Sequence, residues 1–385
     1  MSAGKSDSRH FVLAAGGTGG HMIPAHALAE ELRARGHTVA LVTDARGAAI
    51  PGLFAGAEVH VLPSGRLGGG PLAMIGALRG IWKGRARARA LYRRRRPAAV
   101  IGFGGYPALP ALLAALAASV PTAIHEQNAV LGRVNRLLAR RVKAIATGYP
   151  EVARLPGSAR PRVRLVGNPV RAEVLALRAQ PFPPLTGDGV FRLLVTGGSQ
   201  GATILSDVVP EGLAMLPPAF KARLQVTQQC RPEDIDRVRG AYARLGIPAD
   251  CATYLPDLPE RLGWTHLFIG RAGASTIAEL TAAGRPAILV PLPSATDDHQ
   301  TANARAMAKG GGARMIRQDR FTSTELAKQM QKMALEPGAL ENAARRARDA
   351  GLPHATAALA DLAEEIAGIT PAPRTEAAPA PELVA

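Results

Sequence analysis

The chain has 385 residues, enough for two domains of roughly 150 residues each. Hydrophobic residues make up 47% and charged residues 20%, which excludes a disordered chain, and the 41 Gly and 31 Pro follow no fixed period, which excludes a collagen-like one. The two cysteines, Cys230 and Cys251, lie in no metal-binding motif. A disulfide scaffold and a Cys-based zinc site are therefore excluded, and a reducing compartment is expected.

The net charge is strongly positive. There are 47 basic residues against 30 acidic ones, a formal charge of +17 and a pI near 10.9, and only seven of the basic residues are Lys. Such an excess indicates an anionic partner, namely nucleic acid, an acidic membrane surface or a phosphorylated substrate. An Arg-rich codon bias explains the total charge equally well, but it explains the clustering of the charges less well.

Short apolar runs alternate with amphipathic runs through the first half of the chain, after ten polar residues that carry no signal-peptide pattern. The runs that predict strands are residues 10–15, 38–44, 98–103, 121–126, 143–148 and 163–167. An amphipathic stretch at 22–35 predicts a helix that ends at Gly36. Because the strands are apolar on both faces, this alternation predicts a parallel, doubly wound α/β sheet.

The uncharged stretch at 97–124 is long enough to cross a membrane as a helix. Two glycines and three prolines interrupt it, however. The sequence therefore predicts a buried strand, a glycine turn, a buried helix at 108–119 and another strand.

The chain changes character at 172–188, where a Pro- and Gly-rich stretch predicts a linker. A second series of predicted strands follows, at 191–198, 223–230, 265–270 and 286–292. Further helices are predicted at 323–349 and 352–368, and the Pro/Ala-rich tail at 369–385 is expected to be disordered. The predicted architecture is two Rossmann-like domains with a cleft between them.

Four glycine-rich turns follow predicted strands, where backbone N–H groups and a helix N-terminus can bind an anion. They are residues 16–21, 102–106, 197–201 and 270–276. The first turn lacks the dinucleotide fingerprint, which needs Gly or Ala where Met22 stands, although Asp44 imitates the ribose-binding acid of an NAD site. A tight turn without a ligand is the other interpretation.

Polar side chains also follow two other predicted strands. His125, Glu126, Gln127 and Asn128 come directly after a buried strand, at the edge where doubly wound sheets bind ligands. Arg171 follows another strand and could reach a phosphate or a base. An ordinary core histidine is the alternative for His125.

Carboxylates occur in three other patterns. Ser275 and Glu279 are four residues apart on a predicted helix, so they share a face, and Glu279 could accept hydrogen bonds from two vicinal hydroxyls. The adjacent Asp297 and Asp298 lack a third ligand at a sensible spacing, which argues against a metal site. The Asp-x-Asp pattern at 234–236 falls on a predicted helix and indicates a solvated helix face.

Residues 72–96 predict an amphipathic helix with a strongly basic face. Its two faces consist of Leu72, Ile75, Leu78 and Trp82 on one side, and of Arg79, Lys83, Arg85, Arg87, Arg89 and Arg93–Arg96 on the other. An apolar stripe with Trp beside an Arg-rich face is typical of helices that lie on anionic membranes. The alternatives are an ordinary helix packed on the sheet, and a nucleic-acid surface, which the aromatic content of 4% disfavours.

Seven motifs occur in the order found in one enzyme family. They are GGTGGH, GFGGYP, HEQN, GNPVR, GGSQGA, RAGASTIAEL and DDHQ. In these motifs the chain resembles the bacterial peptidoglycan GlcNAc transferases (the MurG family) over residues 9–365. The resemblance implies the GT-B architecture, with an acceptor- and membrane-facing domain at 9–171 and a UDP-GlcNAc-binding domain at 188–349. The helix at 350–368 is expected to pack back on the first domain.

The resemblance implies an inverting transfer of GlcNAc, without metal or cofactor, from UDP-GlcNAc to the 4-hydroxyl of MurNAc. The acceptor is a lipid-linked MurNAc-pentapeptide of the undecaprenyl pyrophosphate type, so a peripheral enzyme on the cytoplasmic face of the inner membrane is expected, with no nucleic-acid partner. Two alternatives stay open. One is a UDP-GlcNAc 2-epimerase, which has no use for the basic helix, and the other is a non-catalytic nucleotide-sugar-binding membrane subunit.

The resemblance also implies roles for individual residues. Those matching the donor site are Thr18, Gly19, Gly20, Asn128, Arg171, Ser199, Leu255, Ala274, Ser275, Thr276, Glu279 and Gln300. Ser199 is expected at the UDP phosphates, Glu279 at the ribose and Gln300 at the GlcNAc ring. Leu255 departs mildly from the family, which often has Ile beside the uracil.

The acceptor side and the catalytic base follow from the same resemblance and from the chemistry. The residues expected to hold the acceptor pyrophosphate are Gly17, Gly104, Gly105 and Tyr106. The attacking hydroxyl must lose a proton, and a histidine in the cleft is suited to take it. His21 is the first choice for this base, and His125 with Glu126 is the second.

Overall fold

The computed structural model describes residues 8–17, 19–50, 53–54, 56–65, 70–198 and 201–371, and at 71–73 it describes the backbone alone. The predicted site residues Thr18 and Ser199 lie outside these ranges, as do residues 372–385 of the predicted tail.

Seven parallel strands form the first sheet. They are β1 (His10–Ala14), β2 (Thr38–Thr43), β3 (Glu58–Val61), β4 (Ala99–Gly102), β5 (Thr122–Glu126), β6 (Ala144–Thr147) and β7 (Val163–Leu165). Their order is β3-β2-β1-β4-β5-β6-β7. The order changes direction between β1 and β4, and the carboxyl ends of strands at such a point open a ligand-binding crevice.

Helices cover both faces of this sheet. They are α1 (Gly19–Ala34), α2 (Ala45–Ala48), α3 (Pro71–Arg94), α4 (Leu109–Ala117) and α5 (Arg133–Leu138). One hydrophobic cluster joins the inner side of α1 to one face of the sheet, and another joins α3 and α4 to the opposite face. The uncharged stretch at 97–124 thus forms β4, α4 and β5, as predicted.

The second sheet has six parallel strands. They are β8 (Phe191–Thr196), β9 (Leu224–Gln229), β10 (Ala249–Ala252), β11 (Leu267–Gly270), β12 (Ala287–Leu289) and β13 (Ala313–Met315), in the order β10-β9-β8-β11-β12-β13. Before it comes α6 (Ala172–Ala176), and around it lie α7 (Thr203–Ala214), α8 (Pro218–Lys221), α9 (Ile235–Leu245), α10 (Leu258–Trp264), α11 (Ala274–Ala283), α12 (His299–Lys309), α13 (Ser323–Ala334) and α14 (Ala339–Asp349). Two Rossmann-like domains therefore follow each other in the chain.

The structure corrects the sequence prediction in two places. It adds β3, β10 and β13, each of which lies at the edge of its sheet. It also places α6 within the predicted linker at 172–188, where Val174 and Leu177 are buried. Only the later part of that stretch, which has no helix or strand of its own, fits the linker prediction.

The last helix, α15 (Ala355–Ile366), packs on α1 of the first domain. Its buried side chains, among them Leu359 and Ala363, belong to the same hydrophobic cluster as the inner side of α1. Arg35 at the end of α1 donates to Asp361 and Glu364, both at 2.7 Å. The chain therefore leaves the first domain after β7, builds the second domain and returns.

Candidate active site

The first glycine loop joins β1 to α1. The N–H of Gly17 donates to the carboxylate of Asp44 at 3.2 Å, and the same oxygen accepts from the N–H of Gly47 at 2.9 Å. Burial raises the pKa of Asp44, but these hydrogen bonds and the neighbouring Arg46 outweigh it and hold the pKa below its ordinary value. The Asp44 carboxylate therefore holds the glycine loop in place through these hydrogen bonds. This role explains Asp44 without a ribose, so the NAD-site interpretation has no support from the structure.

Gly19 and Gly20 are the first residues of α1, a helix of 16 residues. The first N–H groups of a helix have no partner within the helix and carry its positive dipole end. This end of α1 is therefore suited to an anionic or strongly polar group of a substrate.

His21 lies against the second glycine loop. A Cβ on Gly104 would be 3.3 Å from Cε1 of the His21 ring, and one on Gly105 would be 3.4 Å from its Cδ2. Both glycines also have positive φ angles, of 87° and 75°. Larger residues are disfavoured here on both grounds, so the loop lets its backbone approach the imidazole closely.

His21 lines a cavity of about 210 Å³ between the two domains, the cleft cavity. Its walls include Gly104, Gly105, Tyr106, Glu126 and Asn128 from the first domain and Thr296, Asp297 and His299 from the second. Several residues predicted for catalysis and for the acceptor thus meet in one place. Burial lowers the pKa of His21, and although Glu126, Gln127 and the Phe103 carbonyl oppose this, the pKa stays below its ordinary value.

His125 lies in the core below this cavity and is fully buried. Its Nε2 is 2.9 Å from the carbonyl oxygen of Gly167, and its Nδ1 is 2.9 Å from Nε2 of Gln127. Burial lowers the pKa of His125 to about 4. Because both ring nitrogens are engaged and no surface is exposed, this geometry argues against the second choice of base.

Glu126 is also buried, and its carboxylate has four donors. Oε1 accepts from N–H and Nδ2 of Asn128, and Oε2 accepts from the N–H of Gly132 at 2.7 Å and from Nδ2 of Asn135 at 2.9 Å. A carboxylate held in this way shapes the loop that follows β5. Its geometry fits the orientation of Asn128 better than proton transfer.

Asn303 on α12 joins the two domains beneath the cleft cavity. It is fully buried, and its Nδ2 donates to Oδ1 of Asn128 at 3.0 Å while its Oδ1 accepts from the N–H of Ala129 at 2.8 Å. The sequence analysis missed this residue. The available signal was its position one helical turn after Gln300, on the same face of α12.

The predicted donor residues of the second domain gather around the N-terminus of α11. Ala274, Ser275 and Thr276 are its first three residues, so their N–H groups face the cleft end of the helix. Glu279 lies one turn further on and is buried. Arg171 of the first domain donates to Glu279 from Nε at 2.9 Å and from Nη2 at 2.8 Å. Burial raises the pKa of Glu279, and Arg171 offsets only part of that effect.

Gln300 and Leu255 complete the predicted donor set. Oε1 of Gln300 accepts from the N–H groups of Ala272 and Leu292, at 3.2 and 3.0 Å. Its amide nitrogen has no hydrogen-bond partner among the residues described. Leu255 is buried in the same hydrophobic cluster as Ile277, so its side chain belongs to the core.

An ion-pair cluster closes one side of the cleft. Asp297 lies between β12 and α12 with a left-handed φ of 56°, and its carboxylate accepts from Arg136 at 2.6 Å and also pairs with Arg154. Burial raises the pKa of Asp297, but these arginines outweigh it and hold the pKa below its ordinary value. Within the described ranges, no group of three or more His, Cys, Asp or Glu side chains is arranged to hold a metal.

Helix α3 presents an apolar surface away from the sheet. Ile75, Leu78 and Trp82 are 49%, 55% and 69% exposed, and Arg79 and Lys83 beside them are also exposed. Arg85 is half-buried. The inner side of the helix, with Ile81 and Ala88, packs on α4, so the stripe and the core contact lie on different sides. None of the helices described is both long and apolar enough to span a bilayer.

Family models match both halves of the chain. The glycosyltransferase family 28 N-terminal domain matches residues 11–147, and the glycosyltransferase family 28 C-terminal domain matches residues 192–366. The chain belongs to glycosyltransferase family 28. Within family 28, it is 64% identical over 364 residues to a protein of Zymomonas mobilis, with 94% of each chain covered. It is 67% identical over 357 residues to a protein of Novosphingobium aromaticivorans, with 93% of this chain and 92% of the relative covered.

Both family 28 relatives are named UDP-N-acetylglucosamine–N-acetylmuramyl-(pentapeptide) pyrophosphoryl-undecaprenol N-acetylglucosamine transferase. Among solved structures, Acinetobacter baumannii MurG superposes with a TM-score of 0.74 at 29% identity, over 93% of this chain and 99% of that one. A UDP-GlcNAc 2-epimerase from Neisseria meningitidis superposes with a TM-score of 0.63 at 13% identity, over 91% and 98%. The epimerase therefore shares the fold alone, while the family 28 relatives carry the functional comparison.

Proposed function

We propose that this enzyme transfers GlcNAc from UDP-GlcNAc to the 4-hydroxyl of MurNAc in the undecaprenyl-pyrophosphoryl MurNAc-pentapeptide, converting lipid I to lipid II. The near-full-length identity to transferases of that name supports the substrates. The single structural observation that carries the proposal is the cleft cavity, in which His21 faces residues of the second domain beside α12. Both domains therefore face one cavity, as transfer between a donor and an acceptor requires.

The donor is proposed to bind at the N-terminus of α11. The N–H groups of Ala274, Ser275 and Thr276 and the loop of Gly198 and Ser199 can stabilise the charge that develops on the departing UDP. We propose that these N–H groups neutralise the charge on the departing UDP that a metal ion would otherwise neutralise. Glu279 is assigned to the ribose hydroxyls, with Arg171 orienting its carboxylate.

The sugar is assigned to the floor of the cleft. Two polar groups are assigned to the GlcNAc ring. One is the amide nitrogen of Gln300, which has no hydrogen-bond partner within the described part of the chain, and the other is the side chain of Asn128, which Glu126 and Asn303 hold in place. The N–H groups of Leu292 and Ala272 fix the Gln300 carbonyl oxygen, so its amide nitrogen has a defined direction.

The acceptor is proposed to bind on the first domain. Gly17, Gly104, Gly105 and Tyr106 are assigned to the acceptor pyrophosphate, and Gly104, Gly105 and Tyr106 line the cleft cavity together with His21. Thr18, Gly19 and Gly20 stay assigned to the donor. His21 takes the proton from the attacking 4-hydroxyl as the bond to the anomeric carbon forms and UDP leaves from the opposite face. A neutral imidazole is needed for this step, and burial of His21 favours the neutral form.

The acceptor's lipid chain gives the exposed stripe on α3 a role. Ile75, Leu78 and Trp82 are proposed to insert among the lipids while Arg79, Lys83 and Arg85 contact anionic headgroups. The enzyme would then work as a peripheral protein on the cytoplasmic face of the inner membrane, in peptidoglycan synthesis that supports cell-wall growth and division.

The deciding experiment measures UDP release from UDP-GlcNAc in the presence of EDTA, with and without a short-chain lipid I analogue. We expect release that requires the acceptor and tolerates EDTA. Release without acceptor would favour an epimerase or hydrolase, and donor binding without any release would favour a non-catalytic binding subunit.

A further inference from the structure

We propose that Gln127 is a positioning residue that holds His21 in one tautomer, with the proton on Nδ1 and the lone pair on Nε2. This inference rests on the proposed role of His21 as the base. Gln127 is buried between His21 and His125, and it is not among the residues that line the cleft cavity. Its effect on the reaction would therefore be exerted through the imidazole.

Three side chains form a continuous hydrogen-bonded row. Nδ1 of His21 is 3.1 Å from Oε1 of Gln127, and Nε2 of Gln127 is 2.9 Å from Nδ1 of His125. Nε2 of His125 is 2.9 Å from the carbonyl oxygen of Gly167. Each of these hydrogen bonds needs one donor and one acceptor. If the donor or acceptor role of one atom in the row is known, the donor and acceptor of every other hydrogen bond in the row follow.

Backbone carbonyls, which can only accept, fix this direction at two places. The Gly167 carbonyl requires a proton on Nε2 of His125, which makes His125 Nδ1 an acceptor when the ring is neutral. Independently, the carbonyl of His125 lies 3.2 Å from Nε2 of Gln127, so that atom must be the amide nitrogen. Both constraints orient the Gln127 amide in the same way.

The orientation of Gln127 then decides the state of His21. Oε1 of Gln127 is an acceptor, so Nδ1 of His21 must be the donor and carry the proton. In neutral His21 the lone pair therefore resides on Nε2. The opposite arrangement would set the Gln127 oxygen against the His125 carbonyl and leave two lone pairs facing each other at Gly167, all in a buried site.

Other groups around His21 affect its charge, and the Phe103 carbonyl also competes for a ring proton, because a carbonyl can only accept. Glu126 and the Phe103 carbonyl favour the protonated ring, while burial and His299 disfavour it. None of them makes a hydrogen bond to Nδ1 of His21 in the described part of the structure. Gln127 is the group in contact with that nitrogen.

Two variants test the proposal through different atoms. Gln127→Met keeps the length of the side chain and removes its three hydrogen bonds, so we expect kcat to fall at least about tenfold with KM for UDP-GlcNAc little changed. Gln127→Glu keeps an acceptor beside His21 and adds a charge that favours imidazolium. We expect it to recover part of kcat and to move the acid limb of the kcat pH profile upward by about one unit.

The tautomer itself can be observed without any turnover. In 15N-histidine-labelled enzyme, with the H21Q variant used to assign the signal, we expect a His21 spectrum with protonated Nδ1 and unprotonated Nε2, and loss of that signature in Gln127→Met. Gln225→Met, at an exposed position on β9, is the matched control. An Nε2-protonated His21 in the wild type, or unchanged kcat and pH profile in both variants, would overturn the proposal.

The two readouts separate this inference from the proposed function. Wild-type enzyme that showed the expected spectrum without transfer to the lipid I analogue would refute the proposed function and leave the tautomer assignment standing. Circular dichroism and thermal unfolding of each variant distinguish loss of positioning from loss of fold.

Discussion

Glu279 and Arg171 pair across the two domains at the predicted ribose site. The side chain of Glu279 is almost completely buried, whereas that of Arg171 is one-third exposed. A buried carboxylate with one cationic partner retains acceptor capacity for two hydroxyls that enter beside it. A donor whose ribose bound to Glu279 would therefore also engage this contact between the domains.

Replacing Glu279 with Gln tests this link. The variant loses the charge that both Arg171 and the ribose hydroxyls would use, and a hydrogen bond to a charged group contributes about 1.5–3 kcal/mol. We expect KM for UDP-GlcNAc to rise about tenfold or more, with a smaller change in kcat, in steady-state UDP-release assays. Glu173→Gln, at an exposed position on α6, serves as control, and equal KM values for the two variants would contradict the assignment.

His21 gives the reaction a defined pH dependence. Burial holds its pKa below the ordinary value of about 6.5, and the base must be neutral to accept a proton. We therefore expect kcat/KM to be flat through neutral pH and to fall in acid, with a midpoint below that ordinary value. The profile is measured at constant ionic strength, and H21N should abolish the limb. A midpoint above neutrality would argue against His21 as the base.

The site was predictable from the sequence to the extent that its residues follow strands. The glycine turns and the His125–Asn128 run were located because strand ends in doubly wound sheets meet at one edge. Their individual roles depend on partners distant in the chain. Asn303 holds Asn128 across 175 positions, and Glu126 takes its donors from the loop it shapes, neither of which a local pattern contains.

Helix α3 carries both a core contact and an exposed apolar stripe. Burying a large apolar side chain contributes about 1.5–3 kcal/mol. We expect the double variant L78E/W82E to bind vesicles containing phosphatidylglycerol at least about tenfold more weakly in a sedimentation assay. Its activity toward a water-soluble acceptor analogue should be retained.

The matched control for that experiment is Met215→Glu, which places a charge at an exposed apolar position of the second domain. If this variant reduced vesicle binding as much as the α3 variant, added negative charge alone would explain the effect. The assignment of α3 to the membrane surface would then be wrong.

The sequence predicted the central strands of both sheets better than the edge strands. The central strands β1, β4 and β8 are mostly apolar because helices cover both their faces. The edge strand β3, EVHV, is largely exposed and carries alternating polar residues, and β13 is only three residues long. Burial shapes the sequence of central strands strongly and that of edge strands weakly, so three of the four edge strands were missed and only β7 was predicted.

In the whole molecule, the ion pairs of Asp297 with Arg136 and Arg154 connect the second domain to the first at one side of the cleft. We expect Asp297→Asn to weaken this contact by about 1 kcal/mol, because partly exposed ion pairs are individually weak. The result should be a larger radius of gyration in solution scattering and a several-fold rise in KM for the donor. Asp236→Asn, a fully exposed substitution on α9, should change neither quantity.

The same cluster has a predictable response to acid. Because its arginines hold the pKa of Asp297 below the ordinary value, the contact contributes fully above about pH 4 and is lost as the pH falls through that lowered pKa. Scattering of the wild type should therefore be constant from neutral pH to about pH 5. An expansion near neutrality would implicate another group.

The return of α15 to the first domain has a consequence for how the protein is made. Synthesis proceeds from the N-terminus, so β1 to β7 leave the ribosome long before residues 355–366 exist. Until then the apolar surface of α1 that α15 covers has no partner, and Arg35 lacks Asp361 and Glu364. The domain that is begun first is thus completed last, after the whole donor domain has emerged.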